Sequence, residues 1–307
     1  MPTLRQLEYL AAIAETRHFR RAAERVNTTQ STLSSQLKAL EERLNLRLVE
    51  RSSIKVSVTP AGEEVLVVAR RMLRDAQTIR DIANIQTTGL SGLLRLGIVP
   101  TAAAVVLPRI VLQLRQSVPK LKIQVREEPP QQLAAGLQRG DFDVIITVVP
   151  LALGEATTVK LFDEALLIAF ATGHPLAATG TIEPGDLAGL DILTLSKGQP
   201  MHTAVRSLCH VTGAVLRDDF EETSLDTLRE MVANGLGAAF FPELYARMRI
   251  AGGSDIVLRE IAGNPLSRSI AVCWQRSAPH PERYRTFAEA VIEACRPLKK
   301  LLINGRS

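Results

Sequence analysis

HFRRAAERVNTTQSTLSSQLK, residues 18–38, decides how the N-terminal part of this 307-residue chain folds. Phe19, Ala22, Ala23 and Val26 recur at three- and four-residue spacing, which predicts a short helix with one apolar face. Asn27, Thr28 and Thr29 interrupt it; such residues suit a turn or an N-cap better than a helix interior. A second apolar stripe follows at Leu33, Leu37, Leu40 and Leu44. Two helices joined by so short a turn form a helix-turn-helix. Off the second stripe stand Gln30, Ser31, Thr32, Ser34, Ser35, Gln36 and Lys38, donors and acceptors able to reach base edges and phosphates. An αα-hairpin in an ordinary helical core would give the same pattern, so charge has to separate the two readings. Residues 1–60 hold ten Lys/Arg against six Asp/Glu and so carry +4 of the net +5, which fits a polyanion-binding module on a neutral body.

Outward from this stretch, Thr3 followed by Gln6 is a capping-box pattern opening a first helix, with Leu4, Leu7, Leu10, Ala11 and Ala14 as its buried stripe. Beyond the pair, Val56 and Val58 alternate with Ser57 and Thr59, a strand signal. The segment before them, with Arg51 and Lys55, reads as a hairpin tip, so the module is a winged helix whose wing cations touch phosphates. Pro60-Ala61-Gly62 is expected to close it. One long helix is expected from Glu63 to about Thr87. Val65, Ala69, Met72, Ala76, Ile79 and Ala83 follow coiled-coil spacing. A dimer seam is expected, because no neighbouring segment is long enough to cover that face; the alternative is one helix packed on its own body. A two-fold dimer would set two recognition helices about one DNA turn apart.

Thr88–Gly92 reads as a hinge. Beyond it the periodicity alternates between strands (93–99, 122–127, 144–148, 166–170, 192–195, 238–241, 268–274) and helices (105–116, 131–138, 203–211, 225–234, 281–295). That alternation predicts a parallel sheet with right-handed crossovers. Leu301–Ser307 is expected to fray. The expected organisation is therefore α/β with an N-terminal all-α winged helix. The DNA-binding domain is 1–60, the linker and dimerisation helix 61–90, and a two-subdomain effector domain 91–307. Its subdomain I is about 91–163 plus 268–307, and subdomain II about 164–267. Ligands of such sheets sit at strand carboxyl ends, where helix N-termini favour anions. Thr101, Gln131, Gln132, Thr223 and Ser224 fall there, with His202 and Thr203 where another helix opens. Thr101 and Ser224 also read as plain N-caps.

The 46% hydrophobic and 22% charged composition is that of a globular protein. Cys209, Cys273 and Cys295 are too few and odd for a disulfide framework, which points to a reducing compartment. The start MPTLRQLEYL has no export pattern and no long apolar run exists, so a cytoplasmic location without membrane contact is expected. No Gly-x-Gly-x-x-Gly, Walker loop or His/Cys cluster at metal spacing occurs, so neither an enzyme, a cofactor nor a metal is expected. A free solute-binding protein is a remaining rival, against which the N-terminal module counts.

These features together resemble the LysR-type transcriptional regulators. The resemblance rests on Leu4–Leu10 (LRQLEYL), His18-Phe19, Ala22-Ala23, Thr29–Ser34 (TQSTLS), Gln36-Leu37, Leu40-Glu41 and Thr59–Gly62 (TPAG). It implies a cytoplasmic bacterial regulator of promoter DNA, a homotetramer built as a dimer of dimers, with a periplasmic-binding-protein-like effector domain. It places recognition contacts on Gln30, Ser31, Thr32, Ser34 and Ser35. Ser31 stands where many members have proline, and Ser35 where many have arginine, so a bidentate guanine contact is not expected here. Ile54 likewise occupies a wing position that is often basic. Within the family the likeness is to the OxyR-like, peroxide-sensing subgroup, through Gly97–Thr101 (GIVPT), Leu161–Glu164 (LFDE) and Thr223–Arg229 (TSLDTLR). In that subgroup a reactive cysteine precedes a resolving one by nine residues. Here Cys209 matches the resolving position and Pro200 the reactive one. Two sensing readings follow: a small, anionic effector bound between the subdomains, or thiol chemistry at Cys209, with or without Cys273.

Overall fold

The computed structural model describes residues 1–51, 56–85, 92–197, 199–217, 219, 224–253, 255–263, 266–278 and 281–304. The chain divides into two compact units, residues 1–92 with 138–141, and 93–137 with 142–307.

In the first unit α1 (Leu4–Thr16), α2 (Phe19–Arg25) and α3 (Gln30–Leu44) start where their caps lie. The Thr3 hydroxyl accepts from Gln6 N at 3.2 Å while Thr3 N donates to Gln6 Oε1 at 3.1 Å. Thr29 Oγ1 accepts from Thr32 N at 3.2 Å. The chain turns through left-handed backbone at Arg17 and Asn27. Leu33, Leu37 and Leu40 are buried with Leu10, Ile13 and Ala22, and each leucine so placed contributes about 2 kcal/mol. β1 (Val49–Arg51) and β2 (Val56–Val58) pair antiparallel, Val49 opposite Val58, and form the wing. Lys55 and Ile54 lie outside the described residues, as does the side chain of Arg51.

Pro60-Ala61-Gly62 is not a break but the first turn of α4 (Pro60–Ile85). Proline suits a helix start because its missing N–H would have had no partner there. The Thr59 hydroxyl accepts from Gly62 N at 2.9 Å. A Cβ on Gly62 would meet Leu48 O at 2.2 Å, so the chain approaches too closely for any other residue. The expected coiled-coil seam divides between an inner and an outer face. Leu66 and Ala69 are buried in the unit's own core and Val65 leans on it, because α1 packs along the start of α4. Met72 and Ile79 stay outward, 39% and 68% exposed, joined by Val68. The Ala83 side chain lies outside the described residues.

Among the described residues, the second unit is built on one nine-stranded sheet. Its strands are β3 (Gly92–Ile98), β4 (Leu121–Glu127), β5 (Val144–Val149), β6 (Ala156–Ala171), β7 (Asp191–Leu193), β8 (Val215–Arg217), β9 (Ala238–Pro242), β10 (Ile256–Arg259) and β11 (Ser267–Gln275). The order is β4-β3-β5-β11-β6-β9-β7-β8, with β10 on β6. The helices are α5 (Pro100–Ser117), α6 (Pro130–Arg139), α7 (Pro200–Thr212), α8 (Leu225–Ala233) and α9 (Pro281–Asn304). The expected parallel sheet is mixed. β3/β5 and β7/β9 are parallel, as the strand–helix alternation requires. β11, arriving late in the chain, inserts antiparallel between β5 and β6. Periodicity cannot announce where a late strand inserts. β6 is 16 residues long, and its half-exposed first part, ATTVKL, gave no clear strand signal. The tail expected to fray from Leu301 is helical to Asn304, with Leu302 buried. Among the described residues no helix is long and apolar enough to cross a membrane.

Candidate nucleic-acid interface and ligand cleft

On α3, Gln30, Ser31, Thr32, Ser35 and Lys38 are exposed and Ser34 is half-buried. The burial of Leu33, Leu37 and Leu40 turns this polar face outward. The N-cap gathers hydroxyls: Thr29 Oγ1 lies 2.9 Å from Ser31 Oγ and 2.8 Å from Thr32 Oγ1. Ser35 donates to Thr32 O at 2.9 Å. Lys38 pairs loosely with Glu42 at 3.6 Å, an exposed i,i+4 pair of little energetic weight, so the ammonium is available to a phosphate. Glu41 Oε1 accepts from Leu48 N and Val49 N at 2.8 and 3.1 Å, which ties the wing's first strand to the recognition helix.

The second unit holds a cleft of about 760 Å³ at the ends of several strands. Of the residues picked out by sequence, Thr101, Gln131, Gln132 and Ser224 line it. Their elements explain the convergence: Thr101 is the second residue of α5, the glutamines open α6, and Ser224 caps α8 by accepting from Thr227 N at 3.1 Å. His202 is buried under α7, Thr203 faces outward, and neither is among the lining residues. Thr223 lies outside the described residues. Sequence reading missed Glu127, Ser196, Lys197, Gln199, Asp226 and Tyr245. Ser196, Lys197 and Gln199 follow β7 and precede α7, so the strand-end rule could have found them. Tyr245 carried no signal, for it reaches the cleft from a helical turn (Glu243–Tyr245) after β9.

Thr101 is not an N-cap; Val99 holds that place. Its hydroxyl oxygen accepts from Arg268 Nη1 at 2.6 Å, and Arg268 Nη2 also reaches Thr101 O at 3.1 Å. Arg268 grips Glu164 Oε1 at 2.8 and 3.0 Å, and both side chains are almost wholly buried. Glu164 Oε2 accepts from Leu244 N at 2.9 Å, while Glu243 Oε2 accepts from Ala165 N at 3.3 Å. The Thr101 hydroxyl oxygen accepts from Arg268 and still carries a donor proton. On the other wall Tyr245 donates to Asp226 Oδ1. Burial, then that bond, pushes the Tyr245 phenol well above its ordinary value.

Cys209 and Cys273 are both buried, and burial raises both thiols. A thiolate is the nucleophile, so these surroundings oppose reactivity. Pro200 is the first residue of α7, after the N-cap Gln199.

Residues 4–63 match the family described as bacterial regulatory helix-turn-helix protein, lysR family, and residues 87–296 match the LysR substrate binding domain. The DNA-binding transcriptional dual regulator OxyR of Escherichia coli K12 is 36% identical over 288 residues, covering 94% of each chain. A full-length OxyR variant from Pseudomonas aeruginosa superposes with a TM-score of 0.78 at 30% identity, covering 94% of each chain. A hydrogen-peroxide-bound OxyR mutant of Corynebacterium glutamicum gives a TM-score of 0.65 at 29% identity, over 99% of this chain and 96% of that one.

Proposed function

The chain belongs to the LysR family of bacterial transcriptional regulators, and from that premise we propose that its cleft seats a small polar effector whose binding changes how an oligomer grips promoter DNA. The observation that carries this reading is the convergence of Thr101, Gln131, Gln132 and Ser224 in one cleft of about 760 Å³, a size suited to a small ligand. Lys197, Glu127 and Asp226 are charged residues of the same lining. An anionic effector therefore sits on Thr101, the glutamines and Lys197, away from those carboxylates. To act, the effector must bind one arrangement of the two walls better than another.

In this reading residues 1–60 bind DNA, 61–90 join and dimerise, and 91–307 sense. Gln30, Ser31, Thr32, Ser34, Ser35 and Lys38 meet the operator, with Arg51 and Lys55 from the wing. The protein works in the cytoplasm as a dimer and as a dimer of dimers. The test is footprinting on duplexes selected from a random library. Gln30→Ala should weaken the selected duplex by about tenfold, as loss of a base contact does, and leave non-specific binding nearly unchanged. Equal loss on every sequence would contradict the assigned role.

A second reading is thiol-based sensing through Cys209, alone or with Cys273. What supports it is that similar proteins are named hydrogen peroxide-inducible genes activators. Burial of both thiols counts against it, as does Pro200 at the position that the family resemblance gives to the reactive cysteine. Cys209→Ser decides between them: an oxidant response of the footprint that survives the substitution removes this cysteine from the mechanism.

A further inference from the structure

Gln36 stands on α3 between the buried stripe and the outward face, and it is exposed. At about 100° per residue it lies on the Thr32 flank of that face, off its centre. Its Oε1 accepts from Gln6 Nε2 at 3.1 Å. Gln6 is itself buried, and its Oε1 accepts the Thr3 N–H that completes the capping box of α1. These bonds fix both amides in turn. A backbone N–H can only donate, so the Gln6 atom facing Thr3 is oxygen. The far end of that amide is NH2, so the Gln36 atom facing it is oxygen as well. The Gln36 NH2 is left as the outer end of the side chain, with no hydrogen bond to a described residue.

We propose that Gln36 positions the DNA: the α1 capping box, acting through Gln6, holds its amide so that the NH2 donates to a backbone phosphate oxygen beside the recognition helix. The proposal rests on α3 being that helix. A flank position reaches the groove edge, where phosphate contacts set register without reading sequence.

The test uses the full-length protein and anisotropy on two duplexes, one selected from a random library and one scrambled. Gln36→Ala should weaken both by a similar factor, about tenfold or more, the worth of one hydrogen bond to a charged acceptor. The recovered consensus and the salt slope should not move, since no charge is lost. Gln6→Glu is the sharper variant. It keeps a capping box, Thr-x-x-Glu, and its melting temperature confirms that it is folded at the temperature of the assay. A carboxylate only accepts, so it would turn the Gln36 NH2 inward and its carbonyl oxygen toward the phosphate. Gln6→Glu should therefore weaken binding at least as much as Gln36→Ala, and cost nothing further in the Gln36→Ala background. An equal loss in both backgrounds would belong to the added charge and rejects the relay. Gln36→Ala binding within about twofold of wild type on both duplexes, less than one hydrogen bond is worth, rejects the contact. A loss confined to the selected duplex, with an altered consensus, rejects the phosphate as its target. A wild-type protein that binds neither duplex overturns the recognition-helix reading itself.

Discussion

Cys295 shows how one buried side chain makes a prediction that its sequence neighbours do not. Burial pushes its thiol up to about 12, against the opposing pull of Lys299 and Arg109. In the unfolded chain the same thiol ionises near its ordinary value of 9.0. Between those values the native state holds a proton that the unfolded state has lost. The stabilisation is thus complete below about pH 9 and disappears as pH rises toward about 12. Urea titrations across that window should show stability falling, with Cys295→Ala flattening the slope by at most about 1.4 kcal/mol per pH unit. Identical slopes would mean that the thiol is not shielded. None of this was legible in sequence, where three scattered cysteines said only that no disulfide framework exists. Burial is a property of the fold.

At the scale of the element, α4 illustrates a pattern serving two masters. Its apolar positions look like one seam in sequence. In space Leu66 and Ala69 turn to α1, while Val68, Met72 and Ile79 face outward at four- and seven-residue spacing. That outer stripe is the face on which dimerisation is expected to fall. Met72→Glu with Ile79→Glu should lower the oligomeric state in sedimentation and leave the melting temperature of the helical unit little changed, because neither side chain is in its core. An unchanged sedimentation coefficient would place the interface elsewhere. Spacing told correctly that the helix is amphipathic; only packing separated the two sides of its apolar arc. By contrast, the starts of α1 and α3 were readable, because Thr3 and Thr29 cap them through bonds local in sequence.

Over the whole molecule, the cleft depends on a connection that spans distant parts of the chain. Thr101, Arg268, Glu164 and Leu244 form one buried run of hydrogen bonds behind it. Arg268→Met strands a buried carboxylate and should cost about 3–5 kcal/mol. Arg268→Met with Glu164→Leu removes both charges and should cost clearly less than the single change. Denaturant midpoints measure both. A double variant no more stable than the single would show that the pair stabilises by more than mutual neutralisation.

The sequence alone determined the helix-turn-helix, the wing, the strand–helix alternation and the polar residues that open α5, α6 and α8. All of these follow from periods of two and 3.6 residues and from caps made by near neighbours. Only the tertiary structure decided that β11 returns between β5 and β6, that His202 turns into the core, and that Tyr245 and Arg268 reach Thr101's surroundings. Arg268 lies 167 residues from Thr101 along the chain. No local period or cap encodes such a meeting; it arises from burying apolar faces against one another, which selects strand order and so brings distant polar groups together.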